Sequence, residues 1–386
     1  MINWKTETVN TEHKMISNQH LTETVVYHKT QPAFAKRPLT TWSIEVLAYH
    51  TPLNMGEAFV VVNFGLLFVC GIALFYLARL LLENTRLANF SVLFFFLSFT
   101  VLFSFFPTNY SYDEPLQYLL IFLSILALIR KKWGLFILGF SLSLIAREST
   151  IILLPAIALY FMEFERKTLF RSESIKKMGA LVLPVVIYIA FLYLFITFSG
   201  IGKESKDDLD GRFSHFLINF QNQEYAVESF LSFALAIGVQ AYFLFSYVAN
   251  NPLTSLEKKL IRSFLLTVIF NTLIVLTTTL ARETRLFALP LVFIWPIFGK
   301  ILLHELKILG SVKNYVKLFG NALSAGSLLL LWAFCFLTFR FIYIQTNGVK
   351  QNYLDEYLLV FSALISLHVV MKMRLKHDQK DQLSGV

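Results

Sequence analysis

The chain has 386 residues, 56% of them apolar and 40 of them phenylalanine, with a mean hydropathy of +0.61, which is more apolar material than soluble cores of this size can bury. Its net charge of +9 is scattered through short loops between apolar runs, which argues against a nucleic-acid surface. The two cysteines, Cys70 and Cys335, lie inside such runs, where a disulfide framework has no place and a packing role does.

The runs mostly reach the roughly 20 residues that a helix needs to cross the hydrocarbon, and they lack the alternation of barrel strands. The predicted fold is therefore all-α, a polytopic transmembrane helical bundle. In chain order it has an outer-side segment over residues 1–54, a membrane domain over 55–371 and a cytoplasmic basic tail over 372–386. Spans are predicted at Ala58–Leu82, Leu87–Phe106, Leu116–Ile129, Met178–Phe198, Phe230–Val248, Ser263–Ala281, Leu286–Leu303, Leu318–Ile344 and Leu354–Met371.

Between the third and fourth of these lies the apolar run Trp133–Met162, with Arg147 and Glu148 near its middle. Arg130, Lys131 and Lys132 precede it; Arg166, Lys167, Arg171, Lys176 and Lys177 follow it. Lysine and arginine in short loops gather on the cytoplasmic side, so both flanks read as the same side. The run is accordingly predicted to be two short helices, 133–145 and 151–162, meeting at residues 146–150 in a recess toward the outer face. With the nine clear spans this makes about 11 membrane segments. Arg147 and Glu148 are adjacent, so on a helix they point to different sides and do not form a simple intrahelical pair. Ionisable groups at this depth are costly and mark functional sites, although the two charges could also serve only to satisfy a broken helix end.

The same count places Arg79 and Arg86, then Lys258, Lys259 and Arg262, and the tail lysines inside, whereas the acid-rich stretch Ile201–Ser229 falls outside. It also leaves residues 1–54 outside with no preceding span, so an upstream helix is expected to be missing. The stretch "SGIGKES" lacks the spacing of a phosphate loop. His13, His20, His28 and His50 lack metal-site spacing, and His368, alone on a span, reads as a packed or interhelical hydrogen-bonding residue.

Several stretches occur in an order that resembles GT-C type glycosyltransferases, the multi-span enzymes that include protein O-mannosyltransferases and the aminoarabinose transferases of lipid A. The run "AFAKRPLTTWSIEVL" resembles the basic element of their first outer loop, and "SYDEPLQYLLIFLSILAL" resembles an outer-loop acid and proline followed by a helix. "RKKWGLFILGFSLSLIARESTIILLP" is similar to their basic loop, short helix and cation, and "ARETRLFALPLVFIWP" to a later outer-facing basic element. The likeness covers roughly residues 30 to 300.

The resemblance implies an enzyme of the bacterial inner membrane that takes a sugar from a polyprenyl-phosphate donor at the outer face, with no nucleic acid involved. By carry-over Lys36, Arg37, Arg147, Arg282 and Arg285 become donor-phosphate ligands, a task that suits the planar, permanently charged fork of arginine. Glu148 and Glu114 support them. Asp113 matches an acid associated with a divalent metal ion or with active-site geometry, and it could equally cap the helix that begins near Leu116. The family's first-loop acid has no counterpart, so the catalytic base is unassigned. An inactive or truncated membrane subunit, a polysaccharide polymerase or ligase, and a transporter of an anionic substrate stay open beside the transferase.

Overall fold

Helix starts are set by short polar side chains. In the computed structural model, which describes residues 18–104, 112–161, 172–199, 211–342 and 353–384, Asn54 and Glu57 form a reciprocal capping box that opens a 28-residue helix, and Thr254 and Glu257 repeat the device before a 24-residue one. The sequence-based assignments to residues 1–17, to the loop with Arg166, Lys167 and Arg171, and to the first part of the acid-rich stretch, residues 201–210, lie outside the described residues.

In chain order the helices are α1 (Asn18–Thr30), α2 (Pro32–Ala35), α3 (Pro38–His50), α4 (Met55–Leu82), α5 (Thr85–Leu97), α6 (Glu114–Ile129), α7 (Trp133–Ala146), α8 (Leu154–Phe161) and α9 (Ser172–Ser199). They continue as α10 (His215–Asn219), α11 (Gln223–Phe233), α12 (Val239–Val248), α13 (Ser255–Thr278), α14 (Trp295–Leu309), α15 (Val312–Phe319), α16 (Ala322–Leu337) and α17 (Tyr353–Ser384). The described residues contain no strand, and six helical stretches are long and apolar enough to cross a membrane. The chain is thus an all-α integral membrane protein. Four further apolar helices are shorter: Thr85–Leu97, Glu114–Ile129, Trp133–Ala146 and Glu148–Phe161.

Two expected spans are interrupted. The run from Leu87 leaves the α-helix after Leu97: Ser98 turns to an extended ψ of 142°, its hydroxyl donates to the Phe95 carbonyl at 2.7 Å, and a π-turn follows at Thr100–Ser104. The run from Leu286 begins as two 3-10 turns, Thr284–Phe287 and Leu289–Phe293, before α14. Pro290 and Pro296 explain this, since each lacks the amide hydrogen that a continuous helix would use.

The helices fall into two compact units, Met1–Ala236 with Leu253–Gly299, and Ile237–Pro252 with Lys300–Val386. In the first, α4 packs against α6, α5, α3 and α1, and α7 packs against α6 and α9. Residues 18–54 are thereby tied to the membrane helices: Leu21, Val25 and Ile44 share a buried cluster with Ala58, Phe59 and Tyr112. A second aromatic centre joins Phe95, Tyr118 and Phe122 around Trp295, with ring centroids 4.9, 5.4 and 6.3 Å from the indole. Gly299 lets α14 approach α5 closely, because a Cβ there would lie 2.2 Å from the Leu87 carbonyl oxygen.

In the second unit α16 packs on α17 around Leu328, Val370 and Met371. Here His368 joins helices as its type suggests, accepting or donating at 2.7 Å to the Tyr242 hydroxyl and lying 3.1 Å from Glu305, which Lys372 meets at 2.8 Å.

Candidate functional site

The run holding Arg147 and Glu148 is broken where the sequence suggests. Helix α7 ends at Ala146, Arg147 is extended with φ −162° and ψ 121°, and Glu148–Leu153 winds as a 3-10 turn into α8. Thr150 secures the break: its hydroxyl lies 3.1 Å from the Ser143 carbonyl and 2.9 Å from that of Arg147, so it serves α7's last acceptors. The two arms pack on different neighbours, α7 on α6 and α9, α8 on α13.

The extended backbone at Arg147 sends the adjacent charges to separate partners. Arg147 bonds the Glu114 carboxylate at the start of α6, and Arg285 reaches the same oxygen at 3.2 Å while also bonding Glu283. Glu148 takes the fork of Arg37, with Nε at 2.7 Å and Nη2 at 2.5 Å, and has Arg212 at 3.6 Å and Lys36 at 3.8 Å. Both sets border one open cavity of about 190 Å³, which Arg37, Arg147, Arg212 and Arg285 line together with Glu114, Glu148, Gln117, Tyr118 and Asn271.

The two sets differ in exposure, and this decides what each can do. Glu114 is 2% exposed and its arginines are nearly as deep, so that set is a buried ion cluster that locks α6 to the helix break and to the turn at Arg285. Glu148 is 25% exposed and Arg212 21%, so that set is the more open of the two. Burial alone would lower the Arg37 pKa, but the Glu148 carboxylate outweighs it and holds the guanidinium above its ordinary value, permanently charged. Gln117, one turn after Glu114, ties the set together by donating to Ser149 and Thr150 at 3.0 Å each.

Of the residues singled out in the sequence, Lys36, Arg37, Glu114, Arg147, Glu148 and Arg285 come together here. Arg282 does not: it lies over the Tyr225 ring at 3.9 Å, reaches Glu228 at 3.7 Å and is not among the cavity-lining residues. Asp113 sits at the N-cap position of α6 but makes no capping hydrogen bond. Its carboxylate is fully buried outside the cavity, 3.2 Å from His28 Nε2, while His28 Nδ1 meets the Thr41 hydroxyl at 3.1 Å and Thr41 meets Tyr112 at 2.9 Å. Among the described residues no group of three or more His, Cys, Asp or Glu is arranged to hold a metal ion.

Two participants escaped sequence reasoning. Arg212 stands in an acid-rich stretch, with no local sign that it reaches Glu148. His28 was set aside for want of a partner at helical spacing, whereas its partner Asp113 lies far along the chain. In comparisons with protein-family models, curated proteins and solved structures, none matches the chain.

Proposed function

We propose that this chain is a membrane glycosyltransferase of the GT-C kind, which takes a sugar from a polyprenyl-phosphate donor at the outer face of the membrane. The observation that carries the reading is the cavity itself: among the described residues four arginines, Arg37, Arg147, Arg212 and Arg285, line it beside Glu114 and Glu148. A cavity so rich in arginine suits an anion. A lipid-linked phosphate supplies one with its apolar tail already in the bilayer, and the arginine forks match its oxygens.

In this reading Arg37 and Arg212 grip the donor phosphate as Glu148 yields, and Lys36 adds charge at the rim. As an acceptor's hydroxyl oxygen bonds to the sugar's anomeric carbon and its proton passes to water, the bond from that carbon to the phosphate oxygen breaks, the electron pair goes to the phosphate oxygen, and the cations stabilise it. Arg147 and Arg285 hold the cavity's shape through Glu114. Asp113 and His28 stand away from this cavity. The proposal keeps about 11 membrane segments, a bacterial inner-membrane location and a cytoplasmic C-terminus, as the alternating basic loops suggest.

The test is turnover of a radiolabelled polyprenyl-phosphate sugar by the chain reconstituted in lipid. Release of label to water or to an acceptor supports the transferase. Donor bound without any release would leave a binding subunit, and no binding at all would remove the reading.

A further inference from the structure

Helix α15, in the second unit, leaves three large apolar side chains uncovered: Val312 is 76% exposed, Val316 67% and Phe319 54%. At about 100° per residue they fall within about 60° of arc, one stripe that runs the whole length of the helix. Lys313 and Lys317, both exposed, stand about 90 to 130° to one side of the stripe, and Tyr315 and Leu318 about 70 to 130° to the other. The last two fix the helix in rotation: Leu318 is fully buried in a cluster with Leu309, Leu328, Val370 and Met371, and Tyr315 packs against it. Asn314 holds the back, its amide donating to the Ile308 carbonyl at 2.8 Å. Helix α15 cannot turn its stripe inward without emptying that cluster.

Two lengths place the stripe. Eight residues rise about 12 Å, against roughly 30 Å of hydrocarbon, so α15 is too short to cross a membrane. Only Gly320 and Asn321 separate it, however, from Ala322–Arg340, a stretch long and apolar enough to do so, and the short link keeps Phe319 within about 11 Å of Ala322. The apolar exposure continues across that link onto Leu323, 82% exposed. Depth is bounded on both sides: lysines beside the stripe are costly within the hydrocarbon, and exposed apolar side chains on a helix of eight residues gain nothing from water.

We infer that α15 lies in the plane of the membrane at its boundary, with Val312, Val316 and Phe319 seated among the upper acyl carbons and the lysine side turned toward the headgroups. The partner is the boundary layer of a phospholipid bilayer. The in-plane orientation follows from the stripe, which includes the first and last residues of the helix and has a lysine beside each of its turns, so the line between apolar and charged runs along the axis. A protein partner is the poorer match, because three side chains fall far short of the about 20 residues a side that a stable interface takes.

The test is site-directed spin labelling of the full chain in phospholipid nanodiscs. Cys335 is replaced by alanine, and Cys70 stays because it is fully buried. Single label sites come from Val312→Cys, Val316→Cys, Phe319→Cys and Lys313→Cys, all at exposed positions outside the buried cluster. Accessibility to oxygen against a water-soluble nickel chelate reads the depth of each label. The first three are expected about 5 to 10 Å into the boundary and within about 4 Å of one another, with the fourth favouring the nickel chelate. Leu330→Cys, on the exposed side of α16, is the comparison and should read deeper. A helix that merely extended the following span would spread the first three labels over about 10 Å of depth. Nickel access at all three would put the stripe in water, and access to neither reagent would put it under protein. Each of these results overturns the proposal.

Discussion

Replacing Arg147 by alanine separates the two ion sets at the helix break. The substitution strips Glu114, 2% exposed, of its nearest cation and leaves Arg285 at 3.2 Å as the other charge on that oxygen. Removing one partner of a buried pair costs about 3 to 5 kcal/mol because the surviving charge is stranded. Arg285 retains part of the compensation, so about 2 to 4 kcal/mol is expected here. Glu114→Gln takes the shared carboxylate from Arg147 and leaves Arg285 with Glu283, and should cost a similar amount. The double variant, Arg147→Ala with Glu114→Gln, leaves less uncompensated charge than either single one and should be destabilised by clearly less than their sum. Unfolding by sodium dodecyl sulfate titration from mild detergent, followed by far-ultraviolet circular dichroism, gives all three values in one cycle. If Arg147→Ala unfolds within about 0.5 kcal/mol of wild type, or if the single costs simply add, the buried cluster does not hold the break and its assignment is wrong.

Three other outcomes follow from the same geometry. Arg37→Ala should unfold much like wild type, since Glu148 keeps Arg212 and Lys36 and is partly exposed, yet it should weaken equilibrium binding of a polyprenyl phosphate by about 1.5 to 3 kcal/mol, with only partial recovery in Arg37→Lys. Arg282→Ala should leave that binding within about twofold, because Arg282 is engaged by Tyr225 and Glu228 outside the cavity. Gly299→Ala should destabilise the protein by about 1 to 3 kcal/mol in the same unfolding assay, since the new Cβ meets the Leu87 carbonyl at 2.2 Å and the Ser91 amide at 2.6 Å, both of them backbone that cannot swing aside.

The all-α membrane class was legible because hydropathy sums over long windows, and the break at Arg147 because charge, proline and flanking lysines converge on one short stretch. The interruption after Leu97 was not, since nothing in "LFFFLSFT" but Ser98 distinguishes it from a continuous span. The number of crossings is likewise hidden: length and hydropathy single out six helices, and short apolar segments such as Glu114–Ile129 need packing rather than composition to place them. Within the site, Arg147 was found because a charge stands out inside an apolar run, whereas Arg37 and Arg285 came from the family resemblance. Which of them meets the more open carboxylate was not legible, because pairing across the fold depends on backbone direction at one residue. The extended turn at Arg147 hands it to Glu114 and hands Glu148 to Arg37. Arg212 and His28 have partners too distant in sequence for any local spacing to reveal.

The central claim, that the arginine-lined cavity receives a lipid-borne phosphate, is tested most directly by the affinity of a fluorescent polyprenyl phosphate for the chain in lipid nanodiscs, measured for wild type and for the double variant Arg37→Ala with Arg212→Ala. The account predicts saturable binding to wild type and a loss of about a hundredfold or more in the double variant, since two charge-assisted contacts vanish while the buried Glu114 cluster keeps the fold. Binding that the double variant leaves unchanged, in a protein that is still folded, would contradict it.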